Sequence, residues 1–343
     1  MQESKHRRGR RFLTALMVGL VGTAAIGCGG GSDEAGGGTV TLKFAHDSPT
    51  SSPYQKAAEE FKAKVEEGTD GRVQVNIFPA AQLGEESVAI NGLKSGAVDA
   101  TIVNVPSLEP TVEELQLFFL PFLFRDEAQA LRVTEGPVGQ RMVDAIQEKV
   151  GAETVGWGSI GEAVLANTVR PVSSPADMAG LKIRTSTSAI ATQTYEALGA
   201  LPAQLAFGEL YQGLQSGIVE GLDSGVVDIV DLKFYQVVDN VTLLSQFVRL
   251  APVLVSESSL AKLSEEDQQV VREAGKAAAE AELAEVQKQA NAAIEMLPDE
   301  GVQVVELTDE QRQAFVDAVE PVYAQNAEAV GGQALIDEVR DTP

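Results

Sequence analysis

The chain has 343 residues, with 50 Asp/Glu against 26 Lys/Arg and a formal charge of −24. So acidic a balance excludes nucleic acid as a partner, because phosphate recognition rests on clustered cations. With 2 histidines and 1 cysteine in all, a disulfide framework, histidine-built metal sites and Ser-His-Asp catalysis are excluded as well.

Lys5, Arg7, Arg8, Arg10 and Arg11 precede an uncharged, mostly apolar stretch over 12–26 that ends at Gly27-Cys28. This is the pattern of an export signal. Fifteen residues of helix reach about 22 Å, short of the ~30 Å hydrocarbon core, so a permanent span is the weaker reading. Cys28 stands where a lipobox places its cysteine, behind Ala25, Ile26 and Gly27, although Ala25 departs from the usual leucine. Cys28 is expected to be the lipidated first residue of the mature protein, with 28–38 a Gly-rich tether; a stray cysteine within an ordinary cleaved signal is the alternative. Loss of 1–27 would leave 21 basic against 49 acidic side chains. The 316 remaining residues suffice for two α/β domains.

From Val40, apolar residues alternate with polar ones to Phe44, predicting a strand that ends near His46-Asp47. Ser52-Pro53 predicts a helix start, Ser52 as N-cap and Pro53 in the first turn, with Tyr54, Ala57, Ala58, Phe61 and Val65 on one face. Val73, Val75 and Ile77 alternate again, a helix over 85–94 stops near Gly96, and an apolar strand is expected over 100–105. Strands separated by helices predict a mainly parallel sheet covered on both sides. The run LQLFFLPFLF over 115–124 is too rich in Phe and Leu to be exposed.

After Gly151 the alternation resumes: apolar residues over 155–160, a strand over 182–184, helices over 190–198 and 209–216, and an apolar stretch over 218–222. Ser264-Glu-Glu-Asp267 has the pattern of a capping box, and Ala, Glu, Gln, Leu and Lys then run almost unbroken to Leu297. About 33 residues of helix measure roughly 50 Å, more than a small domain is wide, so this helix is expected to lie across two lobes. Its poorly heptad-like face argues against a coiled coil. A strand over 302–307 and a helix capped by Thr308 close the chain.

Four stretches in this order resemble the solute receptors of tripartite ATP-independent periplasmic (TRAP) transporters, of the C4-dicarboxylate-binding type. They are LKFAHDSPTSSPYQKAAEEF with GRVQVNIFPAAQLGEE; LPFLF; RPVSSPADMAGLKIRT; and GALPAQLAFGELYQGLQSGIVEG followed by KFYQVVDN. The resemblance covers essentially the whole mature chain. It implies an α/β, two-lobed periplasmic-binding-protein-like fold with discontinuous lobes, 39–161 with 250–289 and 162–249 with 290–343, and a long helix spanning both. It also implies capture of a small organic acid by cleft closure and delivery to a membrane permease, with no cofactor and no catalysis.

Arg184, in GLKIRT, matches the family's carboxylate-pairing arginine; on the residue alone, a surface arginine capping a strand is the competing reading. A guanidinium offers a planar carboxylate two parallel N–H bonds and stays charged when desolvated. Asp47 and Asn104 match polar positions that touch ligand, or are turn and cap residues. Phe207, Trp157 and Tyr211 are candidate aromatic contacts that read equally as core, and Asp223 is a candidate polar contact. Two departures stand out: Ala163 occupies a position where many relatives carry a second arginine, and Leu222-Asp223-Ser224 replaces the commoner Gln-Glu-Asn. A monocarboxylate is therefore favoured over a dianion. Other readings are a ligand sensor for a membrane signalling partner and an exported carboxylate-dependent hydrolase.

Overall fold

The computed structural model describes residues 39–186 and 188–343. The signal, Cys28 and the tether lie outside the described residues. Strand β1 (Val40–Ala45) leads into α1 (Pro53–Gly68), where Ser52 accepts from the Gln55 amide as N-cap and the five predicted apolar residues are buried. Strand β2 (Val73–Phe78) returns parallel to β1 from Val40↔Val73 to Ala45↔Phe78. Helix α2 (Glu86–Ser95) ends at Gly96, whose φ of 74° is the left-handed conformation that favours glycine. Strand β3 (Ala100–Ile102) pairs with the other side of β1. It stops three residues earlier than expected, because Asn104-Val105-Pro106 opens the short helix α3 (Val105–Leu108).

The 115–124 run is core: Leu115, Leu117, Phe118, Phe119 and Leu120 are all buried, much of it in a 3₁₀ turn over Glu113–Phe119. Two helices that the sequence reading left unassigned follow, α4 (Glu127–Glu135) and α5 (Pro137–Val150). Strand β4 (Ala152–Asn167) is 16 residues long, far beyond the expected 155–160.

Next come β5 (Lys182–Thr185), α6 (Ala189–Ala197), β6 (Leu201–Gln204), α7 (Leu210–Ser216), β7 (Gly221–Gly225) and α8 (Val226–Asp231). Strands β8 (Asn240–Leu243) and β9 (Val248–Ser256) precede α9 (Glu257–Leu260) and α10 (Glu265–Met296). The chain closes with β10 (Gln303–Glu306), α11 (Asp309–Ala318), α12 (Glu320–Asn326) and α13 (Gln333–Asp341).

Two half-sheets meet on β4. Its first part pairs with β9, which continues the order β2-β1-β3-β9. Its second part pairs with β7 on one side and β8 on the other, leading to β5, β6 and β10. The changeover falls at an irregularity between Ser159 and Glu162, where Gly161 has a φ of 88°. Chain also passes between halves from β8 to β9, around Phe247, which stacks on Phe119 with centroids 4.2 Å apart. The 32-residue α10 packs on α1, β4 and α8, so it touches both halves. Ser264 caps it by accepting from the Asp267 amide, while the Asp267 carboxylate pairs with Arg72 at 2.7 Å instead of closing a capping box. Thr308 and Gln311 do form a reciprocal box at α11. Among the described residues no helix is long and apolar enough to cross a membrane.

Candidate functional site

In open α/β sheets the crevice lies beyond the carboxyl ends of parallel strands, where side chains project without a following strand to cover them. Here the ends of β1, β3 and β5 converge on a cavity of ≈ 470 Å³. Asp47 enters it from the end of β1, Asn104 from the end of β3 and Arg184 from β5. Tyr54 of α1, Ile160 of β4, Phe207 and Arg249 of β9 also line it.

Arg184 is buried, and its Nε donates to the Leu205 carbonyl at 2.9 Å. Among the described residues neither of its Nη groups has a hydrogen-bond partner and no carboxylate lies within salt-bridge distance. The guanidinium is thus aimed by backbone and left open on the edge that grips a carboxylate. Its Cζ stands 5.7 Å from the Phe207 ring centroid, so Phe207 forms one flank of the arginine. Burial lowers the Arg184 pKa, partly offset by Asp223.

Asn104 donates its backbone amide to Glu86 Oε1 at 2.8 Å, while its own Oδ1 is buried without a partner among the described residues. Asp47 accepts from the Ser48 hydroxyl at 3.2 Å, and burial together with Glu85 pushes its carboxyl up to about 6. Asp223 is buried on β7 and does not line the cavity; it accepts from Arg249 Nη1 at 3.3 Å. Tyr211 bonds Gln236 and lines an adjoining recess of ≈ 190 Å³ that shares Asp47, Ser48, Glu85 and Phe207 with the main cavity. Trp157 does not line the cavity: its indole packs edge-on against Phe118, with centroids 6.0 Å apart.

Three cavity residues went unread in the sequence. Arg249 is the one charged residue in QFVRLAPVLVS, and a cation inside an apolar run needs a buried partner, which was the available signal. Asp228 sits likewise inside VVDIVDL, and it accepts from the Ser224 hydroxyl in the first turn of α8. Glu86 opens α2 and accepts from the Ser107 hydroxyl; burial, then Asp47, pushes its carboxyl up to about 8. Among the described residues no group of three or more His, Cys, Asp or Glu could hold a metal ion.

Two α/β lobes sharing strands and a long helix around a cleft with a free, buried arginine define a solute-binding protein. Residues 44–329 match the model of the bacterial extracellular solute-binding proteins, family 7, known as DctP, and the chain belongs to that family. A solute-binding protein of Chromohalobacter salexigens is 31% identical over 81% of this chain and 82% of its own. Crystal structures of two TRAP periplasmic solute-binding proteins superpose with a TM-score of 0.84 each. The one from Bordetella bronchiseptica, with density interpreted as pantoate, is 34% identical and covers 89% of this chain and 100% of its own. The one from a Polaromonas species, bound to D-erythronate, is 32% identical over 88% and 99%.

Proposed function

We propose that this protein is the extracytoplasmic receptor of a TRAP transporter and captures a small organic acid between its lobes, with the Arg184 guanidinium holding the carboxylate. The observation that carries this is a buried, cavity-lining arginine with its Nε fixed at 2.9 Å on Leu205 and both Nη groups without a hydrogen-bond partner among the described residues. Pantoate and D-erythronate, named with two similar structures, are both hydroxylated monocarboxylates. Asp47, Asn104 and Phe207 contact the same ligand, Tyr211 borders the entrance, and Asp223 acts through Arg249. No bond is made or broken in the ligand, and no cofactor takes part.

The lobes are 39–161 with 250–289, and 162–249 with 290–343. The break in β4 pairing at 159–162 and the β8-to-β9 crossing support those boundaries. Ligand that touches both lobes only when they are closed favours that state by its differential affinity. The closed form delivers ligand to a permease driven by an ion gradient. A lipid on Cys28 holds the receptor at the membrane; Cys28→Ser would release it into the soluble fraction.

The test is a thermal-shift screen of the purified protein against organic acids, sugar acids, amino acids and neutral polyols, beside Arg184→Ala. At 100 times its dissociation constant a ligand stabilises the native state by about 2.7 kcal/mol. A carboxylate that shifts the wild type and not the variant supports the reading; an equal shift in both removes Arg184 from it.

A further inference from the structure

Phe207 divides two spaces. The Arg184 Cζ stands 5.7 Å from its ring centroid, and Phe234 meets the same ring edge-on, with centroids 6.3 Å apart and an interplanar angle of 85°. Arg184 lines the main cavity and not the adjoining recess, whereas Phe234 lines the recess and not the main cavity. The two spaces share Asp47, Ser48, Glu85 and Phe207, so one molecule can run from the arginine into the recess without crossing a wall.

The residues that belong to the recess alone are Pro49, Gly208, Leu232, Phe234 and Tyr211, whose hydroxyl is taken up by Gln236. Its remaining polar side chains, Asp47, Ser48 and Glu85, all sit at the shared neck. Phe207, Tyr211 and Leu232 are half-buried, packed against the core around α7 and α8. Water in such a space finds few partners, and an apolar group that displaces it is favoured. The recess measures ≈ 190 Å³, and an apolar cavity of about 150 Å³ already accepts benzene. Pro49 comes from the β1–α1 loop of one lobe, and the other four come from the second lobe, so a group held here touches both. Gly208 leaves the neck wide: a Cβ at 208 would stand 3.5 Å from Glu85 Oε1, and the backbone there lies outside the left-handed region, so its conformation does not itself require glycine.

Resting on the receptor reading above, we infer that the solute carries, beyond the group held by Arg184, an apolar tail of ring size that lies in the recess among Pro49, Tyr211, Leu232 and Phe234. The recess is a second subsite that selects among solutes. Short acids and fully hydroxylated acids leave it unfilled and are held less tightly.

Calorimetric titration of the purified protein tests this with propionate, butyrate and pentanoate beside 3-phenylpropionate, 4-phenylbutyrate and 5-phenylpentanoate, and with D-gluconate as the hydroxylated acid. The linker is varied because its length decides whether the ring passes the neck. At least one phenyl acid should bind tenfold or more tighter than its parent and than D-gluconate. Leu232→Trp fills the recess and Gly208→Leu narrows its neck. Each should remove at least fivefold of the phenyl gain and leave the best-bound tailless acid within about twofold, with melting temperature showing that the variant is folded. The inference is overturned if no phenyl acid binds tighter than its parent, if D-gluconate binds more tightly than all of them, if the gain survives in either folded variant, or if no acid binds. Tailless acids bound by the wild type and lost in Arg184→Ala, with no phenyl gain, would overturn this inference and leave the receptor reading standing. Any acid bound equally by wild type and Arg184→Ala would overturn the receptor reading itself.

Discussion

Arg184 Nε and the Leu205 carbonyl are 2.9 Å apart, so the loop after β6 aims the guanidinium that β5 carries. Backbone orientation of this kind costs no side-chain ordering when ligand arrives. Arg184→Ala should weaken carboxylate binding by about 3–5 kcal/mol, the scale for removing one partner of a buried ion pair. That corresponds to a loss of roughly 150- to 4,000-fold in Kd, read by calorimetry. Arg184→Lys should lose most of this too, since an ammonium cannot supply two parallel N–H bonds. Retention of affinity in the lysine variant would show a simple point-charge contact.

The segments legible in the sequence are those whose signal is local. Ser52-Pro53 fixed the start of α1, alternation gave β1 and β2, and an unbroken run of helix formers gave the length of α10. Strand β9 was missed because all nine of its residues are buried, between β3 and β4, so it shows no alternation. Strand β4 was read only in part, since its two stretches face different partners and its Gly-rich middle breaks the pattern. Arg184 was legible through its motif. Arg249 was not, because it stands alone in an apolar run on β9, and only the pairing of β9 with β4 brings it to the cavity.

The cavity acids set a pH dependence for the ligand-free protein. Burial raises Asp47 to about 6, with Glu85 and Asp228 adding to it, and raises Glu86 to about 8, with Asp47 adding and Arg249 opposing. Both titrate higher in the folded chain than at the ordinary carboxylate value of about 4. Their contribution to stability is fully present below that value and is lost as pH rises through about 6 and then about 8. Relative to Asp47→Asn with Glu86→Gln, the wild type should therefore lose melting temperature steadily from pH 5 to pH 9. Parallel curves for the two proteins would show that these carboxyls do not titrate as a buried pair.

Helix α10 lies directly on β4 because two glycines face each other. A Cβ on Gly156 would stand 2.5 Å from the Gly275 carbonyl oxygen, and one on Gly275 would stand 2.2 Å from Val155 Cγ2. The first meets backbone, which cannot swing aside. Gly156→Ala should thus destabilise the protein by about 1–3 kcal/mol through overpacking. Chemical denaturation should show a lower midpoint with an unchanged slope, and an unaltered midpoint would mean that helix and strand part without cost.

Two residues along the same contact, Glu282 of α10 is fully buried with neither Oε bonded to a side chain or amide among the described residues, and it fits only because position 158 is glycine: a Cβ there would sit 1.5 Å from Glu282 Oε2. Burial, with Glu127 adding, pushes the Glu282 carboxyl well above the usual carboxylate range. The folded state then holds a proton that the unfolded chain releases near pH 4, and its stability falls as pH climbs from there toward the folded value. Methionine has similar volume and needs no hydrogen bond, and removing a buried polar group that has no partner relieves a cost of about 1–3 kcal/mol. Glu282→Met should therefore raise the melting temperature, and by more at pH 8 than at pH 5. Equal gains at the two pH values would leave the packing benefit and remove the titration. A loss of stability at both would show that the carboxyl has a hydrogen-bonded role at the strand crossing, with ligand affinity in the same variant reporting whether that role serves closure.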